Sequence, residues 1–439
     1  MIIMKFGGTS VGGADEIMNV AKIVKSHLAR KPIVVVSAVK KITDKLIELA
    51  NLSKDGKGKE QLASIKNTHY EILRKLKIDE NLLKKDFENL TNAVERANGK
   101  KLDAKTLDLF QSFGEQMSSK IVAAQLNAAG VKAQAFDSWE LGFVTTADFG
   151  KSGPLEGAYI ALKKSISKLA VIPVITGFIG KTEKGEITTL GRGGSDYTAA
   201  IIGSAIDAEE IQIWTDVNGI MSTDPKMASN AKTLDKVSFE EASELAYFGA
   251  KVLHPKTILP AVKKNIPVRV LNTFNPKGNG TLILRHVEKN SQVVKAITGK
   301  KNITLINVDS KRMLGAYGFL AKLFSVFEKY KKSVDVIATT ETSVSLTIDD
   351  EHDIDKITRE LKDIADVEIL RNKAVICVVG EGMKHTPGVA GRTFSVLGRN
   401  KINIEVISQG ASGINITFIV DGKDAESAVR LLHEEYYGS

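Results

Sequence analysis

Short apolar runs alternate with segments of helical periodicity over residues 1–285 of the chain. The apolar runs contain few polar positions, which is typical of strands covered on both faces in a parallel sheet. They are Ile2–Phe6, Pro32–Ser37, Val171–Phe178 and Glu210–Trp214. Helical periodicity is clearest at Asp15–Arg30, in a Leu-, Lys- and Glu-rich insertion at residues 44–98, and at Ser112–Ala129. The alternation predicts a three-layer α/β/α domain around a mostly parallel sheet.

Beyond residue 300 the order of the predicted elements changes and then repeats. Residues 303–370 read as strand, helix, two strands, helix and a short strand, and residues 371–439 repeat this order without the last strand. The pattern predicts two small α+β units of βαββαβ order. We expect residues 292–302, which contain an apolar run, to supply the strand that the second unit lacks. Residues 1–288 form the expected first domain.

Composition argues against several classes of protein. The chain has 439 residues, and no apolar run approaches the ~20 residues that a membrane-spanning helix needs. The net charge is +9, but the lysines are dispersed and only 6% of residues are aromatic, so we expect no nucleic-acid or membrane partner. The N-terminus reads as a strand and not as a signal peptide. The single cysteine, Cys377, lies in an apolar run, and a cytoplasmic location is the expectation.

Two glycine-rich turns carry most of the candidate chemistry. Lys5-Phe6-Gly7-Gly8-Thr9-Ser10 follows the first strand, and Gly191-Arg192-Gly193-Gly194-Ser195-Asp196 precedes a helical pattern. Turns of this kind bind phosphate because glycine lets the backbone come close, and because free N–H groups and a helix dipole attract anions. A lysine in one turn and an arginine and an aspartate in the other indicate a nucleotide phosphate beside an anionic acceptor.

Other candidates have structural explanations of similar weight. Ser37 and Thr43 follow a buried strand, where a hydroxyl is either a ligand or a packing group. Glu115, in Ser112-Phe113-Gly114-Glu115, is expected at a helix start, where a carboxylate also interacts with the helix dipole. Thr215 and Asp216 end a strand, and the segment 248–255 contains Lys251 and His254. No His, Cys and acid spacing suggests a zinc site, so we expect no protein metal centre of that kind.

Together these motifs resemble those of the aspartokinase (aspartate kinase) family, in the same order and over nearly the whole chain. The resemblance implies an amino acid kinase-like catalytic domain followed by two ACT-like regulatory domains, without a fused homoserine dehydrogenase. It implies ATP-dependent phosphorylation of the β-carboxylate of L-aspartate to 4-phospho-L-aspartate, the first step of lysine, threonine and methionine biosynthesis. The expected cofactor is Mg²⁺, bound mainly through ATP.

The resemblance also implies a role for each motif residue. The expected catalytic residues are Lys5, Gly8 and Asp196, and the expected aspartate ligands are Thr43, Glu115, Arg192 and Ser195. The expected nucleotide ligands are Lys5, Gly7, Gly8, Ser37, Thr215, Asp216, Met221, Lys226 and Lys251. Met221 and Lys226 depart from the tyrosine and arginine that relatives often have at these positions of the nucleotide pocket.

The C-terminal repeats resemble the lysine-binding region of lysine-sensitive aspartokinases. The expected effector ligands are Met313, Ser333, Val334, Asp335, Thr339, Thr340 and Glu341. Gly315 and Ala316 replace larger polar residues of some relatives, so threonine, alone or with lysine, stays an alternative effector. The resemblance further implies a homodimer through the ACT-like domains, with a tetramer as an alternative.

Two other functions remain open at this point. The fold and the acyl-phosphate chemistry are shared by acetylglutamate and glutamate kinases, although the Lys5 motif and the two C-terminal repeats argue against them. A non-catalytic amino-acid sensor is the other alternative, although the presence of Lys5, Glu115, Arg192 and Asp196 argues against it.

Overall fold

The computed structural model describes residues 1–248, 255–287, 292–310, 313 and 317–438. Lys251, His254, Gly315 and Ala316 lie outside the described residues. The chain forms two compact units. The first unit contains Met1–Ile220, Asp235–Phe239 and Val252–His286, and the second contains Met221–Leu234, Glu240–Lys251 and Val287–Ser439. The functional division at residues 1–288, 303–370 and 371–439 stays a prediction.

The first unit is built around an eight-stranded sheet with the order β3-β4-β2-β1-β7-β9-β10-β8. Its strands are β1 (Ile2–Phe6), β2 (Pro32–Val36), β3 (Ala133–Phe136), β4 (Ile172–Thr176), β7 (Glu210–Thr215), β8 (Lys236–Ser238), β9 (Val268–Asn272) and β10 (Thr281–Leu284), and β5 (Ile179–Lys181) and β6 (Ile187–Thr189) form a separate hairpin. All neighbouring strands of the large sheet are parallel except β9 and β10. The prediction of a mostly parallel sheet is therefore confirmed.

Helices cover this sheet, which explains why β1 and β2 are buried along their whole length and, apart from Lys5, are apolar. The helices that begin in the first unit's segments are α1 (Ala14–Ser26), α2 (Ile42–Ser53), α3 (Lys59–Leu76), α4 (Lys84–Ala97), α5 (Ala104–Ala128), α6 (Glu156–Ile166), α7 (Gly194–Ala205), α8 (Phe239–Tyr247) and α9 (Leu259–Lys263). Side chains of α1 to α5, such as Ile17, Leu46 and Phe110, share one core with Met4 and Val34 of the sheet.

The predicted helix start at Ser112 is wrong. Helix α5 begins at Ala104, where the Asp103 carboxylate accepts a hydrogen bond from the Thr106 N–H. Gly114 suggests a break in the helical pattern, but it lies inside the helix. A glycine is required at this position because a Cβ atom there would come within 2.6 Å of Ala38 Cβ. Glu115 is therefore an interior helix residue, and its carboxylate has no role as a partner of the helix N-terminus.

The second unit contains a six-stranded antiparallel sheet with the order β12-β13-β11-β14-β16-β15. Its elements are β11 (Ala296–Asp309), α10 (Phe319–Lys329), β12 (Ile337–Thr339), β13 (Ser343–Ile348), α11 (Ile354–Lys362), β14 (Asp366–Val379), α12 (Val389–Arg399), β15 (Val406–Ser408), β16 (Asn415–Asp421) and α13 (Ala425–Tyr437). Each repeat has its own hydrophobic core beneath its pair of helices. The prediction of a repeated α+β order is confirmed.

Two long strands, β11 and β14, run through both repeats. Ala296–Lys300 pairs with residues 375–379, and Ile303–Asp309 pairs with residues 366–373, with register shifts between the two stretches. The sequence predicts separate strands on either side of residues 371–373, but the structure has one strand. Asn302 and Asn372 adopt positive φ at the irregularity, which asparagine tolerates, so the ladder bends without ending.

Two further observations concern the single cysteine and the possibility of a membrane-spanning helix. Cys377 is fully buried in β14, and burial raises the pKa of its thiol to about 12. In the described parts of the chain, no helix combines the length and the apolar character that crossing a bilayer requires.

Candidate active site

A cavity of about 510 Å³ in the first unit brings together residues from both glycine-rich turns. It lies where β1 and β2 end, because the carboxyl ends of parallel strands meet at one edge of the sheet, and the end of β6 in the separate hairpin adds Thr189. The sequence-predicted residues that line it are Lys5, Gly8, Ser37, Thr43, Glu115, Arg192, Ser195 and Asp196. Cationic and acidic side chains that are far apart in the sequence therefore face one shared space.

Lys5 and Asp196 form an ion pair inside this cavity. The Lys5 Nζ atom lies 2.6 Å from Asp196 Oδ1, and both side chains are almost 90% buried. Lys5 comes from β1 and Asp196 from the first turn of α7. Because a buried ammonium needs a compensating partner, the carboxylate holds the Lys5 side chain in one place. The pair presents a fixed cation at the end of β1.

The two glycines after Lys5 have different surroundings. Gly7 N–H donates a hydrogen bond to the Trp214 carbonyl at 3.1 Å, so the expectation that both glycine amides are free is wrong for Gly7. Gly7 does not line the cavity, whereas Gly8 does. A Cβ atom on Gly8 would lie 3.1 Å from the Ala38 carbonyl oxygen. Gly8 thus permits the close approach of this turn to the loop after β2.

The second glycine-rich turn shapes the start of α7. Gly191 and Gly193 have φ angles of 75° and 72°, a region that favours glycine. A Cβ atom on Gly194 would lie 2.5 Å from a Phe178 ring carbon. Arg192, between these glycines, is exposed, and no carboxylate among the described residues pairs with it. Its guanidinium is therefore available to an anionic ligand.

Glu115 supplies the most strongly perturbed carboxylate of the cavity. Its Oε1 atom accepts a hydrogen bond from the Ala38 N–H at 3.1 Å, and its Oε2 atom has no hydrogen-bond partner in the part of the chain that is described. Burial raises the pKa of Glu115 to about 8, and the Ala38 N–H only partly offsets that rise. A buried carboxylate with a free oxygen is suited to an ammonium group.

Several lining residues were not identified from the sequence. They are Lys40, Lys41, Asp44, Gln111 and Phe178. Lys40 and Lys41 directly follow the Ser37-Ala38 strand end, and that position is the signal that identifies them. Gln111 lies four residues before Glu115, hence on the same face of α5. The two lysines add positive charge to a cavity that already contains Lys5 and Arg192.

The other predicted nucleotide ligands do not line this cavity. Thr215 and Asp216 lie at the end of β7, beside the Gly7 turn, and Thr215 Oγ1 donates to Asp216 Oδ1 at 3.2 Å. Met221 and Lys226 belong to the second unit, where Met221 Sδ accepts a hydrogen bond from Thr233 at 3.3 Å. Lys251 lies outside the described residues. The part of the set assigned to the nucleoside stays a prediction.

The predicted effector ligands lie in the second unit and are mostly exposed. Met313 and Val334 pack against the core of the first repeat, whereas Ser333, Thr339, Thr340 and Glu341 are open to solvent. Asp335 is the exception in this group. Its Oδ1 atom accepts a hydrogen bond from the Tyr247 hydroxyl at 2.7 Å, and its Oδ2 atom lies 3.5 Å from Lys300 Nζ. A binding role for the group stays a prediction.

Comparisons with known proteins show which proteins the chain is similar to. The model of the amino acid kinase family matches residues 1–272, and that of an ACT domain matches residues 376–436. The chain is 41% identical to the chloroplastic aspartokinase 3 of Arabidopsis thaliana, over 99% of this chain and 81% of that protein. It is 38% identical to the lysine-sensitive aspartokinase 3 of Escherichia coli, over 100% and 99% of the two chains.

Solved structures give the same result. The crystal structure of E. coli aspartokinase III in complex with aspartate and ADP has a TM-score of 0.83 at 36% identity, covering 100% of both chains. The same enzyme in complex with lysine and aspartate has a TM-score of 0.84 at 37% identity, covering 100% of this chain and 99% of that one. Aspartate kinase from Clostridium acetobutylicum has a TM-score of 0.86 at 32% identity, over 99% and 100%.

Proposed function

The chain belongs to the aspartokinase family, and from that premise we propose that the cavity lined by Lys5, Glu115, Arg192 and Asp196 is its active site. The protein is an aspartate kinase, which transfers the γ-phosphoryl group of ATP to the β-carboxylate of L-aspartate. The observation that carries the proposal is the meeting of these four side chains, from distant parts of the sequence, in one space. Such a cavity holds two anionic substrates together despite their mutual repulsion.

The polar groups of the amino acid find complementary partners in this cavity. Glu115 offers a buried carboxylate oxygen to the substrate ammonium, and Arg192, which no carboxylate of the described residues pairs with, offers its guanidinium to the α-carboxylate. Thr43 and Ser195 line the same space and supply hydroxyl groups. Held at these points, the amino acid presents its β-carboxylate to the phosphates that the Lys5 turn and the start of α7 receive.

The reaction needs no general base. The β-carboxyl group of aspartate has an ordinary pKa of about 3.9, so it is ionised near neutral pH and is itself the nucleophile. One carboxylate oxygen forms a bond to the γ-phosphorus while the bond from that phosphorus to the β,γ-bridging oxygen breaks and ADP leaves. Lys5 stabilises the charge that develops on the phosphoryl oxygens, and Asp196 keeps the Lys5 ammonium in position.

We propose Mg²⁺ as the cofactor, bound chiefly through the ATP phosphates. The described residues contain no group of three His, Cys, Asp or Glu side chains arranged to hold a metal ion. Asp196 is the carboxylate beside the Lys5 turn, so its oxygen chemistry fits Mg²⁺ there. When bound, the ion offsets the negative charge of the phosphates. The chain's own contribution is to position Lys5, Gly8 and the first turn of α7.

We also propose that lysine inhibits the enzyme by binding at the C-terminal repeats, as the name of the lysine-sensitive E. coli relative suggests. Asp335 is the acidic group of the predicted effector set that is already held in place. Threonine, alone or together with lysine, is the alternative effector. A homodimer through the ACT-like domains and a cytoplasmic location complete the proposal.

A substrate comparison tests the proposed reaction. The full chain is given Mg²⁺-ATP with L-aspartate, L-glutamate or N-acetyl-L-glutamate, and ADP release is followed together with trapping of the acyl phosphate by hydroxylamine. We expect ADP and hydroxamate only with L-aspartate. Turnover with one of the other acceptors would identify another amino acid kinase, and no turnover with any acceptor would indicate a non-catalytic sensor. Repeating the aspartate assay with lysine and with threonine tests the effector.

A further inference from the structure

The first unit contains a buried carboxylate that the proposed reaction does not use. Asp108 lies on α5 and is 1% exposed. Burial raises the pKa of its carboxyl group, and hydrogen bonds from Gly150 and Thr189 oppose that rise. No cation pairs with Asp108 among the described residues. Burying a carboxyl group without a counter-charge costs free energy, which its hydrogen bonds must offset. The structural role of these hydrogen bonds lies in the groups that they connect.

Asp108 connects three donors from two different segments. Its Oδ2 atom accepts from Gly150 N–H at 2.9 Å and from Thr189 N–H at 2.8 Å. Its Oδ1 atom accepts from Thr189 Oγ1 at 2.8 Å. Thr189 is the last residue of β6, and Gly150 belongs to the loop between β3 and β4. One side chain on α5 therefore fixes both segments.

These two segments support the turn that presents Arg192. Ser152 N–H donates to the Thr189 carbonyl at 2.9 Å, which joins the loop directly to the end of β6. Gly191 follows two residues after Thr189, and a Cβ atom on it would lie 3.0 Å from the Gly150 carbonyl oxygen. Gly191 therefore packs against the same loop that Asp108 holds. The backbone before Arg192 is fixed by contacts that lead back to Asp108.

The helix that carries Asp108 also carries Glu115. Seven residues separate them, which places both on one face of α5, about 10.5 Å apart along its axis. We propose that Asp108 is a positioning residue. It fixes the Arg192 turn relative to Glu115, so that Arg192 and Glu115 bind the same amino acid. The proposal rests on the proposed function, because it takes Arg192 and Glu115 as ligands of the substrate's α-carboxylate and ammonium.

The geometry predicts how Asp108 can be replaced. An asparagine keeps one oxygen, which can still accept from both N–H groups, while its amide nitrogen can donate to Thr189 Oγ1 with that hydroxyl turned away. Asp108→Asn therefore retains the connections. Asp108→Ala removes all three and leaves the N–H groups of Gly150 and Thr189 without a partner in a buried place.

The experiment compares Michaelis constants in the two variants of the full-length enzyme. For Asp108→Ala we expect KM for aspartate to rise about 10- to 100-fold, because small displacements of a substrate clamp have effects of this size. KM for ATP should rise clearly less than KM for aspartate, since the Lys5 turn, which also receives the phosphates, does not depend on these bonds. Asp108→Asn should restore KM for aspartate to within about 3-fold of the wild-type value.

Asp103→Ala is the matched control. Asp103 caps the same helix, and its loss lowers stability without touching the Arg192 turn. This variant should keep both KM values at the wild-type level. If Asp108 had only a structural role, Asp108→Ala would behave in the same way, with less folded enzyme but an unchanged KM for aspartate.

Three results would overturn the proposal: an unchanged KM for aspartate in Asp108→Ala, an equal rise in KM for ATP, or no rescue by asparagine. If Asp108→Ala does not fold, Thr189→Val removes only the Oγ1 bond, and a wild-type KM for aspartate in that variant would overturn the proposal. Failure of the proposed function is a separate result, because the wild-type enzyme itself would then show no turnover with aspartate.

Discussion

The cavity of the first unit removes most of its charged side chains from solvent, whereas the effector segment of the second unit, which carries the predicted effector ligands between residues 313 and 341, leaves most of its polar side chains exposed. In the cavity, the Lys5 and Asp196 side chains are largely buried and paired, and buried Glu115 has one oxygen without a hydrogen-bond partner among the described residues. In the effector segment, Thr340 and Glu341 face solvent, whereas the Asp335 side chain is only 9% exposed and is hydrogen-bonded to a tyrosine that is itself 45% exposed. Charges removed from water interact strongly, whereas exposed groups compete with water for each contact.

This difference separates the expected effects of substitution. A change in the cavity alters interactions that solvent cannot replace, so rates and KM values should change by orders of magnitude. A change in the effector segment alters groups that do not line the cavity, so only inhibition should respond, and by smaller factors. The predictions below test that separation, in order of decreasing effect.

The largest effect is expected for Lys5→Ala. Loss of the ammonium removes a charge that stabilises the transferred phosphoryl group, so kcat should fall by about 10²- to 10³-fold or more. The fold should persist, because alanine is tolerated in a buried strand. Steady-state ADP release measures the rate, and circular dichroism with thermal unfolding measures the fold.

Lys25→Ala is the control for Lys5→Ala. Lys25 is an exposed lysine on α1 whose Nζ atom donates to the Ala129 carbonyl, and its loss should leave kcat unchanged. If Lys5→Ala kept a kcat near that of Lys25→Ala, the buried Lys5 ammonium would contribute no more to the rate than an exposed lysine. That result would contradict the catalytic role of the cavity.

The alternation of apolar runs was sufficient to predict the catalytic fold. β1, β2 and β7 are rich in apolar residues and mostly buried, and they lie side by side and parallel in the sheet. Short or half-exposed strands gave a weaker signal, as at β3, where Gln134 interrupts the pattern and faces solvent. The pattern also fails at β14, since polar residues at 371–373 resemble a turn although the strand continues through them.

Local motifs located part of the cavity for a physical reason. Lys5 lies at the end of a strand of the parallel sheet, where ligand-binding loops gather, and Arg192 lies in a glycine-rich turn between a strand and a helix N-terminus, which favours anions. Asp108 has no such signal, because its role depends on contacts with Gly150 and Thr189, which are 42 and 81 positions away. The use of Gly7 N–H by Trp214 is equally invisible in the sequence, since it depends on how β1 and β7 pair.

A second effect, smaller than that of Lys5, is expected from the protonation of Glu115. Because its pKa is raised to about 8, the carboxyl group is largely neutral at pH 6.5 in the absence of substrate. An ammonium ligand needs the charged form, so KM for aspartate should fall up to about tenfold per pH unit between pH 6.5 and 8. Glu115→Gln should raise KM about 10²-fold and abolish this pH dependence. A pH-independent KM in the wild type would contradict the assignment.

The same group predicts a change in stability, with a defined sign. The folded pKa lies above the ordinary value of 4.5, so the folded state binds more protons than the unfolded state between those pH values. Stability should therefore fall as the pH rises from about 4.5 to 8. Glu115→Gln cannot ionise and should unfold at a higher temperature than the wild type at pH 8, with a smaller difference at pH 5. Calorimetry at the two pH values measures it.

The smallest effect is expected at the exposed end of the comparison, in Tyr247→Phe. The Tyr247 hydroxyl donates to Asp335 Oδ1 at 2.7 Å, and this is the carboxylate proposed to receive the ammonium of the effector lysine. Burial and the Asp335 charge raise the pKa of Tyr247, so the phenol stays protonated and keeps donating at neutral pH. Lysine must therefore compete with this hydrogen bond. Its loss, about 1 kcal/mol, should lower the lysine concentration for half-inhibition about 5-fold.

Asp335→Asn gives the opposite result under the same interpretation. It removes the charge that attracts the ammonium, so the lysine concentration for half-inhibition should rise at least tenfold, while kcat and KM without lysine stay within about 2-fold of the wild type. Titration of lysine into the kinase assay of both variants measures the two shifts. Equal shifts in the same direction, or a change in the uninhibited rate, would mean that Tyr247 and Asp335 act on the fold and not on the effector. Shifts in opposite directions would indicate that lysine and the Tyr247 hydroxyl compete for the same Asp335 carboxylate oxygen.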